Sequence, residues 1–420
     1  MMTAYYNEKI ECMSQDEIKK LQLTLLNKQL KRANQAPAYR GKLPDAVQSL
    51  SEIKNLPFTT KEDLRQNFPY GYVAVPEDKI TRTCATSGTT GTPIYIFFSE
   101  EDVKNIALSK AQHYFCAGLQ KGKKVQCMLN VNLSVSGLCC DLVSKFIAAN
   151  FIPTGTGNTL KQMEVLKGLN ADFLFTTPNY LMHLCHLSTA EHINLQGKRA
   201  IVCGEPCTPL VREKLLSDFG VEVFDNYGLT EMGGGVAAEC SAHEGLHVSE
   251  DYFYVEVIDP DTGVPVPDGE YGELVITPLQ QEAMPLIRYR TRDITRIIPQ
   301  ACPCGRTHRR IEPISYRIDD MMIINGVNVF PSQIEECIYK YFATVTDYLI
   351  HITEKGGLKK LLIDIEVQDE ILHNAAQLEK TEEELTAALR ASITVTPKLN
   401  FVPVGTLPEI QGKAKRVVKE

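Results

Sequence analysis

Apolar residues along this chain recur at two spacings, and the spacing switches from segment to segment. In "SQDEIKKLQLTLLNKQLKRA", Ile18, Leu21, Leu25 and Leu30 fall near helical spacing. That predicts an amphipathic helix over residues 15–34, opened by a capping box of Ser14 and Glu17. "LPFTTKEDLRQNFP" predicts a turn and a short helix entered at Thr59 or Thr60. "DKITRTCA" and "IYIFF" read as strands on either side of "TSGTTGTP", and residues 101–118 read as a helix. Beyond them, strands ("KVQCMLNVNL", "ADFLFTTP", "KRAIVCGEP", "VEVFDNYG") alternate with helices ("CDLVSKFIAAN", "TLKQMEVLKGLN", "NYLMHLCHLSTA", "CTPLVREKLLSDFG").

Such alternation predicts βαβ units and an α/β fold with mostly parallel sheets. In these folds ligands bind beyond the carboxyl ends of strands, where "TTPN", "CGEPC" and "NYGLTE" are expected as loops. After residue 240 the pattern becomes a β-meander, "FYVEVIDPDTGVPVPDGEYGELVITPL", with Asp/Gly/Pro turns. From about Arg317 it changes again, to a small α+β domain. The expected division is residues 1–318 as a large domain with αβ sheets and a meander, and residues 319–420 as a small, mobile one.

Length supports two domains, since 420 residues exceed one average domain. Hydrophobic content of 44% allows a sizeable core. A net charge of −8 argues against a nucleic-acid surface. No apolar run approaches the ~20 residues of a membrane span, and the start has no secretory pattern. With thirteen cysteines, the expected compartment is the cytoplasm, with the thiols reduced and mostly buried.

"TSGTTGTP", Thr86 to Pro93, offers backbone N–H groups and short hydroxyls, which is how phosphate is held; a plain hairpin loop is the alternative. It is no Walker loop, because no Lys follows its glycines and a strand comes next. In "YGLTEMGGG", Glu231 sits among glycines, where a carboxylate could share Mg²⁺ with a phosphate or simply be solvated. In "RYRTRDITR", Asp293 lies among four arginines, suited either to ribose hydroxyls or to a salt-bridge cluster. "LPEIQGKAKRV" carries Lys413, alternatively part of a basic tail.

In this order the motifs resemble the adenylate-forming acyl-CoA synthetases, and more narrowly the AMP-forming phenylacetate–CoA ligase family. The resemblance covers nearly the whole chain: "LPFTTKEDLR", "TSGTTGTP", "GEP", "YGLTE", "RYRTRD", "CPCGRTHRRI", "DDMMIINGVNVFPSQIEE" and "GKAKRV". It implies two half-reactions. A carboxylate attacks the α-phosphate of ATP and releases pyrophosphate; the thiol of coenzyme A then displaces AMP. By the resemblance, Thr86, Ser87, Gly88, Thr89, Thr90 and Gly91 cradle the phosphates, Glu231 holds Mg²⁺ and Thr230 lies against the α-phosphate. Gly204, Glu205 and Pro206 with Asp225, Asn226 and Tyr227 line the adenine slot, Asp293 takes the ribose hydroxyls, and Arg317 reaches toward ribose or phosphate. Lys413 is the movable cation of adenylation, Asp319 the hinge, and the loop around Gly326 opens the thiol tunnel. A homodimer is implied by the resemblance alone.

Three departures stand out. Thr92 and Ile94 occupy places where relatives carry a phosphate-loop Lys. Tyr316 replaces a glycine before Arg317. The acyl-pocket stretch "NVNLSVSGLCCDLV" lacks the aromatic residues a phenylacetate enzyme would use, so the acid is left open, aryl acids included. The acceptor is open too: a deazaflavin or a carrier protein would keep the adenylation and replace coenzyme A. A non-catalytic nucleotide-binding or zinc-organised scaffold is the alternative from another class, and the retention of Glu231, Asp293 and Lys413 together argues against it.

"CPCG" and, upstream, "ECSAHEGLH" form a second constellation. Cys240, His247, Cys302 and Cys304 make a Cys₃His set suited to structural zinc, with His243 in reserve and His308 less suited; three buried thiols and a surface His are the alternative.

Overall fold

A computed structural model describes residues 5–86, 93–314, 316–341, 347–355, 358–408 and 416–419. The chain forms two compact units. The first takes Met1–Thr176, Lys198–Gly204 and Val223–Ser315; the second takes Thr177–Gly197, Glu205–Glu222 and Tyr316–Glu420. Among the described residues no helix is long and apolar enough to cross a membrane. All thirteen cysteines are free thiols.

The first unit is organised by a nine-stranded sheet. Its parallel half runs Arg199–Val202, Phe173–Thr176, Lys124–Cys127, Asn150–Pro153. All four are short; the first three are mostly buried, and the edge strand Asn150–Pro153 is partly exposed. The helices between them begin where the sequence provides caps: Thr177 accepts from Tyr180 N–H and Thr208 from Val211 N–H, each followed by a proline at the first helical position. The other half is antiparallel: Glu222–Leu229, Gly234–Glu239, Leu246–Val248, Arg310–Ile311, Ile297–Ile298. The expected meander is present as Phe253–Ile258, Gly272–Pro278 and Tyr289–Thr295, paired in sequence order. Ile80–Ala85 and Tyr95–Ser99 form the hairpin flanking the Gly/Ser/Thr loop.

One local reading is corrected and a second is narrowed. "NYGLTE" is not a loop: the strand continues to Leu229 and turns through a single 3₁₀ turn, Thr230–Met232, into Gly234–Glu239. Glycine makes this possible, since a Cβ at Gly228 would overlap the Gly234 carbonyl across the ladder. The short helix Lys61–Gln66 is capped by Thr60, while Thr59 is buried and pairs with Arg288 and Arg290 by backbone bonds of 3.1 and 2.9 Å.

The N-terminal helix is Gln15–Ala33, with the expected Ser14/Glu17 capping box. Its buried face is Ile18, Gln22, Leu26, Gln29, Leu30 and Ala33, so Leu26 rather than Leu25 turns inward. Gln22 donates to the carbonyls of Glu250 and Phe253, and Gln29 to that of Gln281. These amides satisfy loop carbonyls that would otherwise be buried without a donor.

The second unit has its own core of Ile334, Ile338, Ile350, Ile363, Leu385 and Leu389. Tyr348–Lys355 and Leu358–Val367 form its central antiparallel pair, flanked in parallel by Val417–Lys419 and Lys398–Pro403. Helices Pro331–Tyr341 and Ala375–Ile393 cover it. The helices Pro178–Ala190 and Pro209–Phe219 belong to this unit as well: Tyr339 donates to Asn179 Oδ1 (3.1 Å), and Lys214 to the Tyr339 carbonyl (3.3 Å).

One buried ion pair locks the meander of the first unit. Arg288 meets Glu256 through both guanidinium edges (3.0 and 2.9 Å), donates to the carbonyls of Lys54 and Leu56 (2.8 and 2.9 Å), and stacks 4.0 Å from the Phe58 ring centroid. Replacing one partner strands the other charge in the core. We expect Arg288→Met to cost ~3–5 kcal/mol and Arg288→Met/Glu256→Met to recover most of it. Urea unfolding followed by far-UV circular dichroism checks this; equal midpoints for the two variants would contradict it.

Candidate active site

The Glu222–Leu229/Gly234–Glu239 hairpin sets the geometry of the first unit's site. Asn226, Tyr227, Gly228 and Leu229 pair across it with Ala238, Ala237, Gly235 and Gly234. Glu231, at the turn, is 4% exposed. The Tyr289 hydroxyl donates to its Oε1 at 2.8 Å, and Gln281 donates to its carbonyl at 3.3 Å. Among the described residues Oε2 has no hydrogen bond. Thr230 begins the same turn and closes it by accepting from the Gly233 N–H (3.1 Å).

Asp293 is 2% exposed on the neighbouring strand Tyr289–Thr295. The Tyr227 hydroxyl donates to its Oδ2 at 2.6 Å, and its own N–H donates to Thr291 Oγ1 at 3.1 Å. Two acids are thus held by tyrosines on two adjacent segments. Of the four arginines around Asp293, three are committed to glutamates: Arg288 to Glu256, Arg290 to Glu273 and Arg296 to Glu312. Tyr289, Thr291 and Asp293 are all buried, and the ladder to Gly272–Pro278 is interrupted between Arg290 and Ile294, with Arg292 at φ +66°. Asp225 is buried, its N–H donating to Glu239 Oε2 at 2.8 Å. Gly204 ends the segment following Arg199–Val202 with φ +84°.

Thr86 closes the base of the Gly/Ser/Thr loop. Its N–H donates to the Ile94 carbonyl (2.9 Å), and its Oγ1 accepts from the Ile94 N–H (3.0 Å). Ile94 itself is buried. Ser87, Gly88, Thr89, Thr90, Gly91 and Thr92 lie outside the described residues, as does Lys413.

The second unit carries Glu205, Pro206, Arg317, Asp319 and Gly326. Arg317 pairs with Asp319 at 3.6 Å. Tyr316 stacks on Phe330 with ring centroids 4.1 Å apart. Gly326 (φ +87°) and Asn325 (φ +50°) form the two-residue turn between Met322–Ile324 and Val327–Val329, the Asn-Gly signature of a type I′ hairpin.

The Cys/His set assembles in the first unit. One donor atom from each of Cys240, His247, Cys302 and Cys304 lies within 4.8 Å of the others. Cys240 and Cys302 sulfurs are 3.7 Å apart, and Cys304 Sγ lies 3.4 Å from His247 Nε2. The His308 carbonyl, which can only accept, takes the His247 Nδ1 proton at 3.3 Å and leaves Nε2 aimed inward. The neighbouring Cys240 thiol and His247 hold the Cys304 thiol well below the ordinary range, while Cys240 is pushed up. His243 turns away, 3.4 Å from Glu239 Oε2 and stacked on Phe224. His308 contributes its carbonyl rather than its ring.

Sequence reasoning missed Tyr289, which orients Glu231. Its only signal was the spacing in "RYRTRD", which alternates arginines with Tyr289, Thr291 and Asp293, all three buried.

Residues 4–280 match the AMP-binding enzyme model, and residues 326–420 match the AMP-binding enzyme C-terminal domain. The phenylacetate-coenzyme A ligase of Pseudomonas putida is 37% identical over 97% of this chain and 95% of its own length. That of Escherichia coli K12 is 36% identical over 99% and 98%. Among solved structures, 2-hydroxyisobutyryl-CoA ligase in a postadenylation state with R3-HIB-AMP aligns with a TM-score of 0.91 at 27% identity, covering 100% of this chain and 93% of that one. With these matches over both units and the buried acid pair in place, the chain belongs to the AMP-binding enzyme family and, within it, to the phenylacetate–CoA ligase family.

Proposed function

We propose a division of labour among the residues of an ATP-dependent acid–coenzyme A ligase, with an aryl acid such as phenylacetate as the first substrate to test. The chain is an AMP-forming acid–CoA ligase: it activates a carboxylic acid as the acyl-adenylate and transfers the acyl group to coenzyme A. A carboxylate is a poor electrophile; with AMP as leaving group it becomes a good one. Charge builds on the α-phosphate during attack, so the protein's share is positioning and electrostatic stabilisation. The observation that carries this reading is the pair of buried acids, Glu231 and Asp293, each fixed by a tyrosine hydroxyl.

In our assignment Asp293 accepts from the ribose hydroxyls, with Tyr227 setting its orientation. Asp225, Asn226, Gly204, Glu205 and Pro206 belong to the adenine slot, and Arg317 to the ribose or phosphate. Thr86 anchors the phosphate loop. Thr230 faces the α-phosphate, Gly326 the thiol path, and Lys413 neutralises the adenylation transition state. Mg²⁺ fits Glu231, whose Oε2 is a hard carboxylate oxygen without a partner among the described residues; it would supply charge neutralisation to the phosphates. The same proposal takes residues 1–318 as the ATP- and acid-binding domain and 319–420 as the lid. It places the enzyme in the cytoplasm, consistent with thirteen free thiols.

A zinc ion fits the Cys/His set by distance. Zn–S bonds of about 2.3 Å in a tetrahedron set sulfurs about 3.8 Å apart, and Zn–N of about 2.0 Å sets S···N near 3.5 Å. The observed 3.7 and 3.4 Å are close to both. Four protein donors leave no open position, so Cys240, His247, Cys302 and Cys304 would tie the antiparallel end of the sheet together and take no part in the reaction.

Pyrophosphate release from ATP and Mg²⁺ across aryl, fatty and short-chain acids, with and without coenzyme A, tests the function. Acid-dependent release that accelerates with coenzyme A is expected; the same rate without it would point to another acceptor. Lys413→Ala should slow adenylation by about 100- to 1000-fold. Thioester formation from preformed acyl-adenylate should change far less, and an equal loss in both steps would remove Lys413 from its role. For the metal, one zinc per chain is expected by elemental analysis of protein purified without chelator. Cys304→Ser should lower both zinc content and thermal midpoint, and a full-stability, zinc-free wild type would refute the clip.

A further inference from the structure

Lys110 lies on the helix Glu100–Cys116, where its neighbours Ile106, Ala107, Ala111 and Tyr114 are buried. It is buried too, at 2% exposure. Buried ammonium groups are normally paired with a carboxylate, because an isolated charge is expensive to desolvate. Among the described residues no carboxylate lies within ion-pair distance of Lys110. Its Nζ donates to Ser109 Oγ at 2.9 Å and lies 5.0 Å from the centroid of the Phe253 ring. Burial lowers its pKa to about 8, so most molecules keep the proton at neutral pH. Asp251 and Cys139 act on it only through longer-range charge.

The amine borders a cavity of about 30 Å³ whose walls include Ile106, Met232, Gly233, Phe253 and Gln281. That is room for about two water-sized groups. Met232 and Gly233 directly follow Glu231, and Gln281 donates to the Glu231 carbonyl. A Cβ on Gly234 would stand 3.8 Å from Lys110 Cε. The cavity therefore adjoins the turn that presents Glu231. Asp102 also lines it, but the backbone N–H groups of Ser99, Glu282 and Ala283 already occupy its carboxylate. Among the described residues, two donor hydrogens of Lys110 thus have no protein acceptor.

We propose that Lys110 is a specificity-determining residue which receives the far end of the acid substrate, and that this end carries an oxygen acceptor, best a second carboxylate. The inference rests on the ligase reading above and names the acid class for it. A wholly apolar acid, filling the same space, would leave the ammonium unpaired against hydrocarbon. An acid with a distal carboxylate or hydroxyl supplies the missing acceptor, and a hydrogen bond to a charged group discriminates by about 10- to 100-fold. The small cavity suits a polar end group rather than a whole ring.

Matched acids test this. Pentanedioate is compared with pentanoate, and 4-carboxyphenylacetate and 4-hydroxyphenylacetate with 4-methylphenylacetate, by kcat/KM for pyrophosphate release. Wild type is expected to favour the acceptor-bearing acid by about 10-fold or more in at least one pair. Lys110→Met should abolish that preference by raising KM for the polar acid, with KM for ATP unchanged. Release with the apolar members alone, or a rise in KM for ATP in the variant, overturns the assignment while leaving the ligase reading intact. No release with any acid removes the ligase reading itself. The wild-type ranking decides the matter without the variant should Lys110→Met fold poorly.

Discussion

The site depends on two backbone segments approaching more closely than side chains allow. Gly228 faces Gly235 in the hairpin ladder, and a Cβ at Gly228 would overlap the carbonyl of Gly234. On the other side of the same strand, a Cβ at Gly234 would run into Cys139 of the helix Val135–Ile147. Glycine at both places lets the hairpin be sandwiched between its partner strand and two helices. From that single arrangement follow the turn that presents Glu231, the outward reach of Tyr227 to Asp293, and the placement of Cys240 just past the end of the returning strand. Glycine costs conformational entropy in a strand, and here close packing compensates.

A tyrosine hydroxyl reaches each of the two acids: Tyr289 meets Glu231 and Tyr227 meets Asp293. A phenol hydroxyl fixes one carboxylate oxygen without adding a charge of its own. Two arginines of "RYRTRD" are spent elsewhere: Arg288, just before the strand, and Arg290, on it, clamp Glu256 and Glu273, which makes the meander a rigid support for Asp293. The pairing with Gly272–Pro278 breaks between Arg290 and Ile294, where Arg292 takes φ +66°, so Asp293 sits in an irregularity of the strand.

Much of this was legible in the sequence, for identifiable reasons. Strand–helix alternation is written in spacing, and the caps at Ser14, Thr60, Thr177 and Thr208 are local signals that the fold does not override. The Cys/His set was legible although its halves lie far apart, because few other uses exist for such donors. What brings them together is non-local: His247 pairs with Arg310 in the ladder, and this register sets the "CPCG" turn beside Cys240. The strand end was ambiguous, because "NYG" fits both the strand "VEVFDNYG" and the expected loop "NYGLTE" until Gly234 and Gly235 are known to pair with Leu229 and Gly228. Nothing local marks Gln22 and Gln29 as buried, because their acceptors are carbonyls more than 200 residues away in sequence.

Lys110 shows what sequence patterning hides. On a helix that reads "IALSKAQHYF", a lysine is assigned to the wet face by default, yet Ile106, Ala107, Ala111 and Tyr114 around it are buried as well. The helix is covered on nearly all sides because the hairpin, the meander and the helix Val135–Ile147 pack about it. A charge retained in such a place costs stability unless it has a partner in the working enzyme. An apolar residue would fill this space at lower cost, so burial without a counter-ion is an argument about the substrate rather than about the fold.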